Sequence, residues 1–362
     1  MSKYLTVLAA AMLVLSVTVA VACGDDDDDG SSGDGAIQVG ALLPLTGALA
    51  SYGEASEAAL DEAVSAINEA GGPGVDLVVE DTNSDPPTAL AKLEDLHDQG
   101  IRIVIGPYSS SEVAAVLDFA SDNGILLLSP LSTAHSLAIA DDNLFRFTPD
   151  DIEEGVAVAH LAWEDGIRTV IIVNRDDVGN GGLAIAMRQA FAAVGGTVVE
   201  GLVYPANESD FVDEVESLEA TLAGISAPPE EVGVYLAAFA EVESLFSAVV
   251  ESESLSALRW YGSNSVALSG ELIANPTASD FAVTAGYPNP ILGLRDADEA
   301  LWGPVSERVN GHIGRDPDAF ALAAYDALVT AHAAAVNAGD SADDSKLRAE
   351  VAAVANTSSG LT

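Results

Sequence analysis

Apolar and polar residues alternate along most of the chain with two different periods. Short apolar runs, such as 37–43, 75–80 and 101–105, are typical of buried strands. Longer segments between them have helical spacing, as in 55–70, which ends at a pair of glycines. The alternation continues through residues 85–99, 113–123, 125–128, 152–164, 169–173, 183–194 and 197–203. Repeated βαβ units predict an α/β protein with parallel sheets and helices on both faces.

The length predicts two compact units, because 362 residues exceed what one core usually supports. A short repeat agrees with two similar halves: GIRIVI at 100–105 returns as GIRTVI at 166–171, each following a helix and opening a strand. A glycine between a helix and a strand is common in any α/β protein, so the repeat alone leaves the number of lobes open.

The net charge of the chain limits which kinds of molecule it can bind. Its 57 acidic residues against 13 basic ones give a formal net charge of -44. This excess of negative charge excludes nucleic acid as a partner. It favours an acidic, salt-adapted surface, with an ordinary acidic secreted protein as the alternative.

The N-terminus predicts export. Lys3 precedes an apolar run over residues 4–22, and the chain's only cysteine, Cys23, follows within the sequence VACG. This resembles a bacterial lipobox, so residues 1–23 are predicted to be a lipoprotein signal peptide with lipidation at Cys23. A plain secreted protein or an uncleaved anchor stays open, because Ala20 stands where a lipobox usually has leucine. Residues 24–35 contain only Gly, Ser and Asp, which predicts an extended acidic tether.

Three later stretches carry a family resemblance. They are GALLPLTG at 40–47 followed by SYG at 51–53, IGPYSSS at 105–111 paired with GILLLSPLST at 124–133, and DPDAFALAAYDA at 316–327. Together they resemble the type I periplasmic substrate-binding proteins, in particular the leucine/isoleucine/valine-binding family of branched-chain amino acid ABC transporters. The resemblance covers about residues 37–337.

The resemblance implies two doubly wound parallel-sheet lobes joined by a hinge with three crossings. The first lobe would comprise 36–148 and 287–339, and the second 149–286 and 340–362. The family normally continues past Thr362 into a final hairpin, so the resemblance implies further chain there. The stretch at 316–327 is expected to be structural.

The serine cluster that opens a helix after the strand at 101–105 is the most specific candidate site. Hydroxyls and free backbone N–H groups at a helix N-terminus suit an anion or a carboxylate. Serines that only cap the helix are the alternative. The resemblance implies a cleft that includes Tyr52, Ser109, Ser110, Leu131 and Thr133.

Two further cleft positions depart from the family pattern. Asn264 stands where amino-acid binders usually have Asp or Glu, and Phe239 stands where tyrosine is common. A buried ammonium group without a paired acid is costly, so a free amino acid is disfavoured unless another acid reaches the cleft. Val178 similarly replaces a common aromatic residue. The expected solute is therefore small and polar: an amino acid, an amide or a carboxylate.

No catalytic or metal pattern appears in the sequence. The five histidines are scattered, no second cysteine is present, and no nucleophile elbow or phosphate loop occurs. The candidate acids for an enzyme, Asp81, Asp85 and Asp176, form no recognisable pair. We therefore expect no enzyme activity, no metal and no cofactor.

The sequence thus predicts an exported solute-binding lipoprotein of an ABC uptake transporter, anchored by Cys23 in the periplasm or at the cell surface. Its partners would be a small polar solute and an ABC permease, and it would act as a monomer. A ligand-responsive sensory protein of the same fold is the alternative, and a relative that has lost binding also stays open.

Overall fold

The computed structural model describes residues 35–339, 343–357 and 360–361. The predicted signal peptide, Cys23 and almost all of the acidic tether lie outside these residues. Two parallel sheets form the framework, which confirms the predicted fold class.

The first sheet has the strand order β2-β1-β3-β4-β5, and every pair in it is parallel. Helices α1, α2 and α3 connect its strands. The elements are β1 (Ile37–Leu43), α1 (Ala50–Ala70), β2 (Val75–Asp81), α2 (Pro86–Asp98), β3 (Ile103–Ile105), α3 (Ser110–Asp122), β4 (Leu126–Ser129) and β5 (Leu144–Arg146). Separate apolar clusters cover its two faces.

The second sheet has the order β7-β6-β8-β9 and is also parallel. Its elements are α4 (Asp151–Glu164), β6 (Thr169–Asp176), α5 (Val178–Ala193), β7 (Thr197–Pro205), α6 (Val212–Ala223), β8 (Val232–Ala237), α7 (Val242–Val249), α8 (Glu253–Ser256), β9 (Arg259–Tyr261), α9 (Gly270–Ala274) and α10 (Pro276–Ala285). Short 3-10 turns lie at His135–Leu137, Pro229–Glu231, Asn264–Val266 and Asp296–Asp298.

The last three helices pack with the first sheet. They are α11 (Glu299–Ile313), α12 (Ala319–Ala338) and α13 (Asp344–Thr357). Helix α12 is long and apolar enough to cross a membrane. However, 67% of its most apolar stretch is buried inside the protein, as in the core helix of a folded domain. We call the first sheet with α1–α3 and α11–α13 the first lobe, and the second sheet with α4–α10 the second lobe.

Helix α13 differs from its predicted place. Its buried residues Leu347 and Val351 belong to the apolar cluster around β1 and β3, on the first lobe. The family resemblance predicts 340–362 in the second lobe. The physical reason is that α12 presents a second apolar side, which α13 covers.

The short glycine repeat does not mark equivalent positions. The first copy opens β3, the middle strand of its sheet, whereas the second opens β6, which occupies the place that β1 has in the first sheet. Gly100 and Gly166 both have positive φ, at 84° and 96°, so the repeat reflects a shared way of leaving a helix.

Candidate functional site

The predicted cleft residues lie where the two lobes meet. Tyr52, Leu131 and Phe239 are all nearly buried and belong to one apolar cluster, although Phe239 comes from the second lobe. Phe320 of α12 joins this cluster, and its ring packs edge-on against Tyr52 at 5.9 Å between centroids. The stretch at 316–327 was expected to be structural only, so this contact adds Phe320 to the candidate site.

Tyr52 and Asn264 connect the lobes directly. The Tyr52 hydroxyl donates a hydrogen bond of 2.8 Å to the backbone carbonyl of Asn264, 212 residues further along the chain. Burial raises the pKa of the Tyr52 phenol, so it keeps its proton and remains a donor. The Asn264 side chain accepts from the Ser265 hydroxyl.

Ser109 and Ser110, at the start of α3, make different contacts. Ser109 forms a capping box with Glu112: its hydroxyl accepts from the Glu112 amide at 3.1 Å, and its own amide donates to the Glu112 carboxylate at 2.8 Å. The Ser110 hydroxyl lies 3.1 Å from that of Ser132 and accepts from the Ala134 amide at 3.1 Å. Ser109 therefore stabilises the helix start, while Ser110 faces the chain that follows β4.

Helix α5 brings the second lobe against these serines. The backbone amide of Val178 donates to the Ser111 hydroxyl at 3.2 Å. A Cβ atom placed on Gly179 would lie 3.7 Å from the Cβ of Ser110. The N-terminal turns of α3 and α5 thus touch, one from each lobe.

Phe239 lies two residues after the end of β8, and its ring packs against the side chain of Arg175. The Arg175 guanidinium is 4.9 Å from the Phe239 ring centroid and pairs with Glu241 at 3.2 Å. The Phe239 amide donates to the same Glu241 carboxylate. These contacts hold the ring against the first lobe, and they leave Arg175 paired with protein carboxylates.

A cavity of about 250 Å³ lies at the meeting point of the lobes. Thr133 contributes from the first lobe, Asn264 and Glu154 from the second, and Phe320 from α12. The rest of the lining is Thr148, Pro149, Asp150, Glu153, Ala157, Pro290, Ile291, Leu292 and Gly293. These last residues include the segment between β5 and α4 and the segment between α10 and α11, the two that join the lobes within the described residues.

Glu154 is the main residue that the sequence analysis missed. Its carboxylate lines the cavity and accepts a 3.0 Å hydrogen bond from the Asn264 amide. Burial raises the pKa of Glu154 to about 8; the Asn264 amide opposes the rise and the Asp151 carboxylate adds to it. Glu154 lies in the acidic run DDIEE at 150–154, which from sequence is typical of a solvated helix start.

Asp151 lies one turn before Glu154 on α4 and is fully buried. Burial raises its pKa to about 6. The Thr133 hydroxyl and the His135 backbone are near enough to oppose that rise, yet neither carboxylate oxygen of Asp151 has a partner in hydrogen-bonding geometry. The spacing of the two acids puts both on one face of the helix.

Close packing of two helices fixes the position of both acids. A Cβ atom on Gly155 would lie 2.6 Å from the backbone carbonyl carbon of Ala186, so α4 can approach α5 this closely only with glycine there. The first turn of α4 is thereby held beside the cavity.

The acids considered for an enzyme do not converge. Asp81 accepts from the Thr46 amide and hydroxyl, Asp85 caps α2, and Asp176 is exposed at the end of β6. Among the described residues, no group of three or more His, Cys, Asp or Glu could hold a metal ion.

A larger cavity of about 490 Å³ lies on the second lobe alone, between α9, α10 and β9. Its lining includes the exposed Ile273 and Val283, and its charged member is Arg259, which pairs with Asp165. Of the seven predicted cleft residues, none lines this cavity, whereas Thr133 and Asn264 line the smaller one, which is therefore the better candidate. The other five predicted residues pack around the contact between the lobes and do not line either cavity.

Comparisons with known proteins agree with this fold. A family model described as periplasmic binding protein matches residues 36–361. An uncharacterized protein of Methanocaldococcus jannaschii is 30% identical over 308 residues, which cover 82% of this chain and 72% of that protein. A Leu/Ile/Val-binding protein of Rhizobium johnstonii is 31% identical over 180 residues, 48% of this chain and 49% of that protein. The match therefore spans about half the length of that named relative.

A solved structure shares the fold. It is the solute-binding protein of an ABC transporter from R. palustris, in complex with benzoate, with a TM-score of 0.71. It is 22% identical to this chain, and the match covers 89% of this chain and 86% of that one. The named similar proteins are binding proteins and not enzymes.

Proposed function

Because the chain belongs to the periplasmic binding protein family, we propose that it is the solute-binding lipoprotein of an ABC uptake transporter of the branched-chain amino acid/amide type. It binds a small polar solute in the cleft between the lobes. The family places it outside the cytoplasm. It performs no chemistry, acts as a monomer and delivers its solute to a membrane permease.

The observation that carries this proposal is the cavity of about 250 Å³ to which both lobes contribute polar groups. A site shared between two lobes couples solute binding to lobe closure, since only the closed arrangement offers every contact at once. The volume suits a small solute, because drug-sized ligands occupy pockets of roughly 300–1,000 Å³.

The N-terminal sequence supports the lipid anchor. An apolar run that ends in VACG, followed by a Gly/Ser/Asp segment, is suited to a lipidated Cys23 and a polar tether. A sensory role would use the same cleft, and no described contact favours it.

Replacing Ser110 with alanine is expected to weaken solute binding about tenfold or more, because the buried Ala134 amide, next to the cavity-lining Thr133, loses its acceptor. The measurement is a thermal-shift screen in high salt against amino acids, amides and short carboxylates, since a solute that binds only the folded state raises the unfolding midpoint.

The matched control is Ser121→Ala, which removes an exposed serine from the last turn of the same helix. Its solute-induced shift should equal that of the wild type. A Ser110→Ala protein with an unchanged solute-induced shift would place the solute away from the α3 N-terminus.

A further inference from the structure

Asp151 is a buried acid at the first residue of α4, directly after the segment that crosses from the first lobe to the second. Its side chain is fully buried, and neither carboxylate oxygen has a hydrogen-bond partner among the described residues. The ion pairs of these residues do not include it. A charged carboxylate in such a place is unfavourable, so the neutral acid is the stable form there.

Both lobes enclose this carboxylate. On the second lobe, Gly182 of α5 lies so close that a Cβ atom there would collide with Asp151 Oδ2. The same Cβ atom would lie only 3.7 Å from the Cβ of Ala134, which belongs to the first lobe. The Asp151 backbone amide also donates to the Thr133 carbonyl of the first lobe at 3.0 Å. Because α4 and α5 pack within one lobe, separation of the lobes is the motion that brings water to Asp151.

The titratable groups that face Asp151 come from four parts of the fold. They are Asp150 and Glu154 on α4, His135 after β4, Arg146 on β5 and Tyr235 on β8. His135 pairs with Asp150, and Arg146 donates to the backbone carbonyl of Ala134, so both cations have other partners. Burial is the main cause that raises the pKa of Asp151 to about 6; the Thr133 hydroxyl, the His135 backbone and Arg146 oppose the rise, and Asp150 adds to it.

We propose that closure of the two lobes takes up a proton at Asp151, so that acid favours the closed arrangement and alkali favours opening. In the open arrangement the carboxylate meets water and ionises as an ordinary acid does. Lobe closure itself is part of the proposed function, whereas its dependence on pH goes beyond that function and involves no particular solute.

The direction of the pH effect follows from the raised pKa. Above about pH 6 the closed arrangement holds an ionised, buried Asp151 and is penalised. The penalty disappears as the pH falls through about 6, and no further gain is expected below about pH 4, where the solvated acid also takes up its proton. Between pH 8 and pH 5 the ratio of closed to open protein should therefore rise about tenfold.

This equilibrium lies where the external pH can act on it, since the family places the protein outside the cytoplasm. A solute that binds only the closed form binds in proportion to the fraction of protein that is closed or can close. Solute capture is therefore stronger in a mildly acidic medium, for any solute whose own charge does not change over the same range.

Hydrogen exchange of the Val178 backbone amide, measured without solute, tests this proposal. Val178 is the first residue of α5, where an amide has no acceptor within the helix, and it donates instead to the Ser111 hydroxyl of the opposite lobe. Its protection factor, the ratio of the intrinsic to the observed exchange rate, therefore reports lobe closure. The Leu183 amide, inside the same helix, is the reference for exchange that does not need the other lobe.

The wild type is compared with Asp151→Asn and Glu154→Gln between pH 8 and pH 5. We expect the Val178 protection factor of the wild type to rise about tenfold as the pH falls. Asp151→Asn, which is neutral at every pH, should lose this rise and should already show the higher protection at pH 8.

Glu154→Gln is the matched control, because it neutralises the neighbouring acid on the same helix. Glu154 is half-buried and accepts from the Asn264 amide of its own lobe, so its surroundings change little when the lobes separate. The variant keeps Asp151 and an oxygen that can accept from Asn264, and it should retain the tenfold rise.

An equal rise in Asp151→Asn and the wild type, or a Val178 protection factor that does not change with pH in the wild type, would overturn the proposal. If Asp151→Asn fails to fold, Glu154→Gln decides: a rise that begins near pH 6 supports the role of Asp151, and a flat profile contradicts it. These results leave the proposed function untouched, because the thermal-shift screen tests solute binding separately.

Discussion

Replacing Phe246 with alanine is expected to lower the free energy of unfolding by about 3–5 kcal/mol. Phe246 is fully buried on α7 and packs edge-on against three aromatic rings, with centroid distances of 5.4 Å to Trp260, 4.8 Å to Phe281 and 4.8 Å to Tyr287. Removal of this ring leaves a cavity and three broken aromatic contacts. The total stability of a natural domain is only about 5–15 kcal/mol, so the loss is severe.

Urea unfolding followed by near-ultraviolet circular dichroism measures this effect. The matched control is Val283→Ala, since Val283 is 82% exposed on α10 and its truncation should change stability little. A loss of less than about 1 kcal/mol for Phe246→Ala would mean that the aromatic cluster of the second lobe is not its main source of stability.

Replacing Gly179 with phenylalanine is expected to weaken solute binding by about tenfold to a hundredfold, because overpacking by a large side chain typically costs about 1–3 kcal/mol. A Cβ atom there already lies 3.7 Å from the Cβ of Ser110 in the opposite lobe. The added ring would occupy the contact between α5 and α3 and keep the lobes apart. Each lobe should still fold, since Gly179 lies outside their apolar clusters.

The control is Gly181→Phe, two residues further along the same helical turn. A Cβ atom on Gly181 has no neighbour within 4 Å. Gly181→Phe therefore changes the helix propensity of α5 as Gly179→Phe does, but it does not disturb the contact between α5 and α3. Calorimetric titration of both variants with the same solute separates the two effects. Equal affinity in Gly179→Phe and Gly181→Phe would show that binding does not need this contact.

Local sequence patterns account for most of the framework. The predicted strand at 37–43 coincides with β1, because a continuous apolar run of that length has few alternatives to a buried strand. The sequence pattern predicts the start of α5 at residue 183, whereas the helix begins at Val178. Gly179, Gly181 and Gly182 hide the helical pattern there, while Asp177 caps the helix by accepting from the Asn180 amide.

Only some of the cleft residues can be predicted from the sequence. The family motif indicated Tyr52 and Asn264, but their hydrogen bond joins residues 212 positions apart and depends on how the lobes pack. Glu154 could not be distinguished from the other acids of its run, since its environment comes from α5, from Asn264 and from Asp151. An environment that tertiary packing creates leaves no local signal in an acidic helix start.

Solute is expected to bind between the lobes and hold them together. Hydrogen exchange of backbone amides tests it most directly, with and without the tightest-binding member of the solute panel. The Val178 amide, which donates across the cleft to Ser111, and the Asn264 amide, which donates to Glu154, should show the largest slowing. Slowing concentrated instead around Ala282 and Tyr287, beside the larger cavity of the second lobe, would contradict the account.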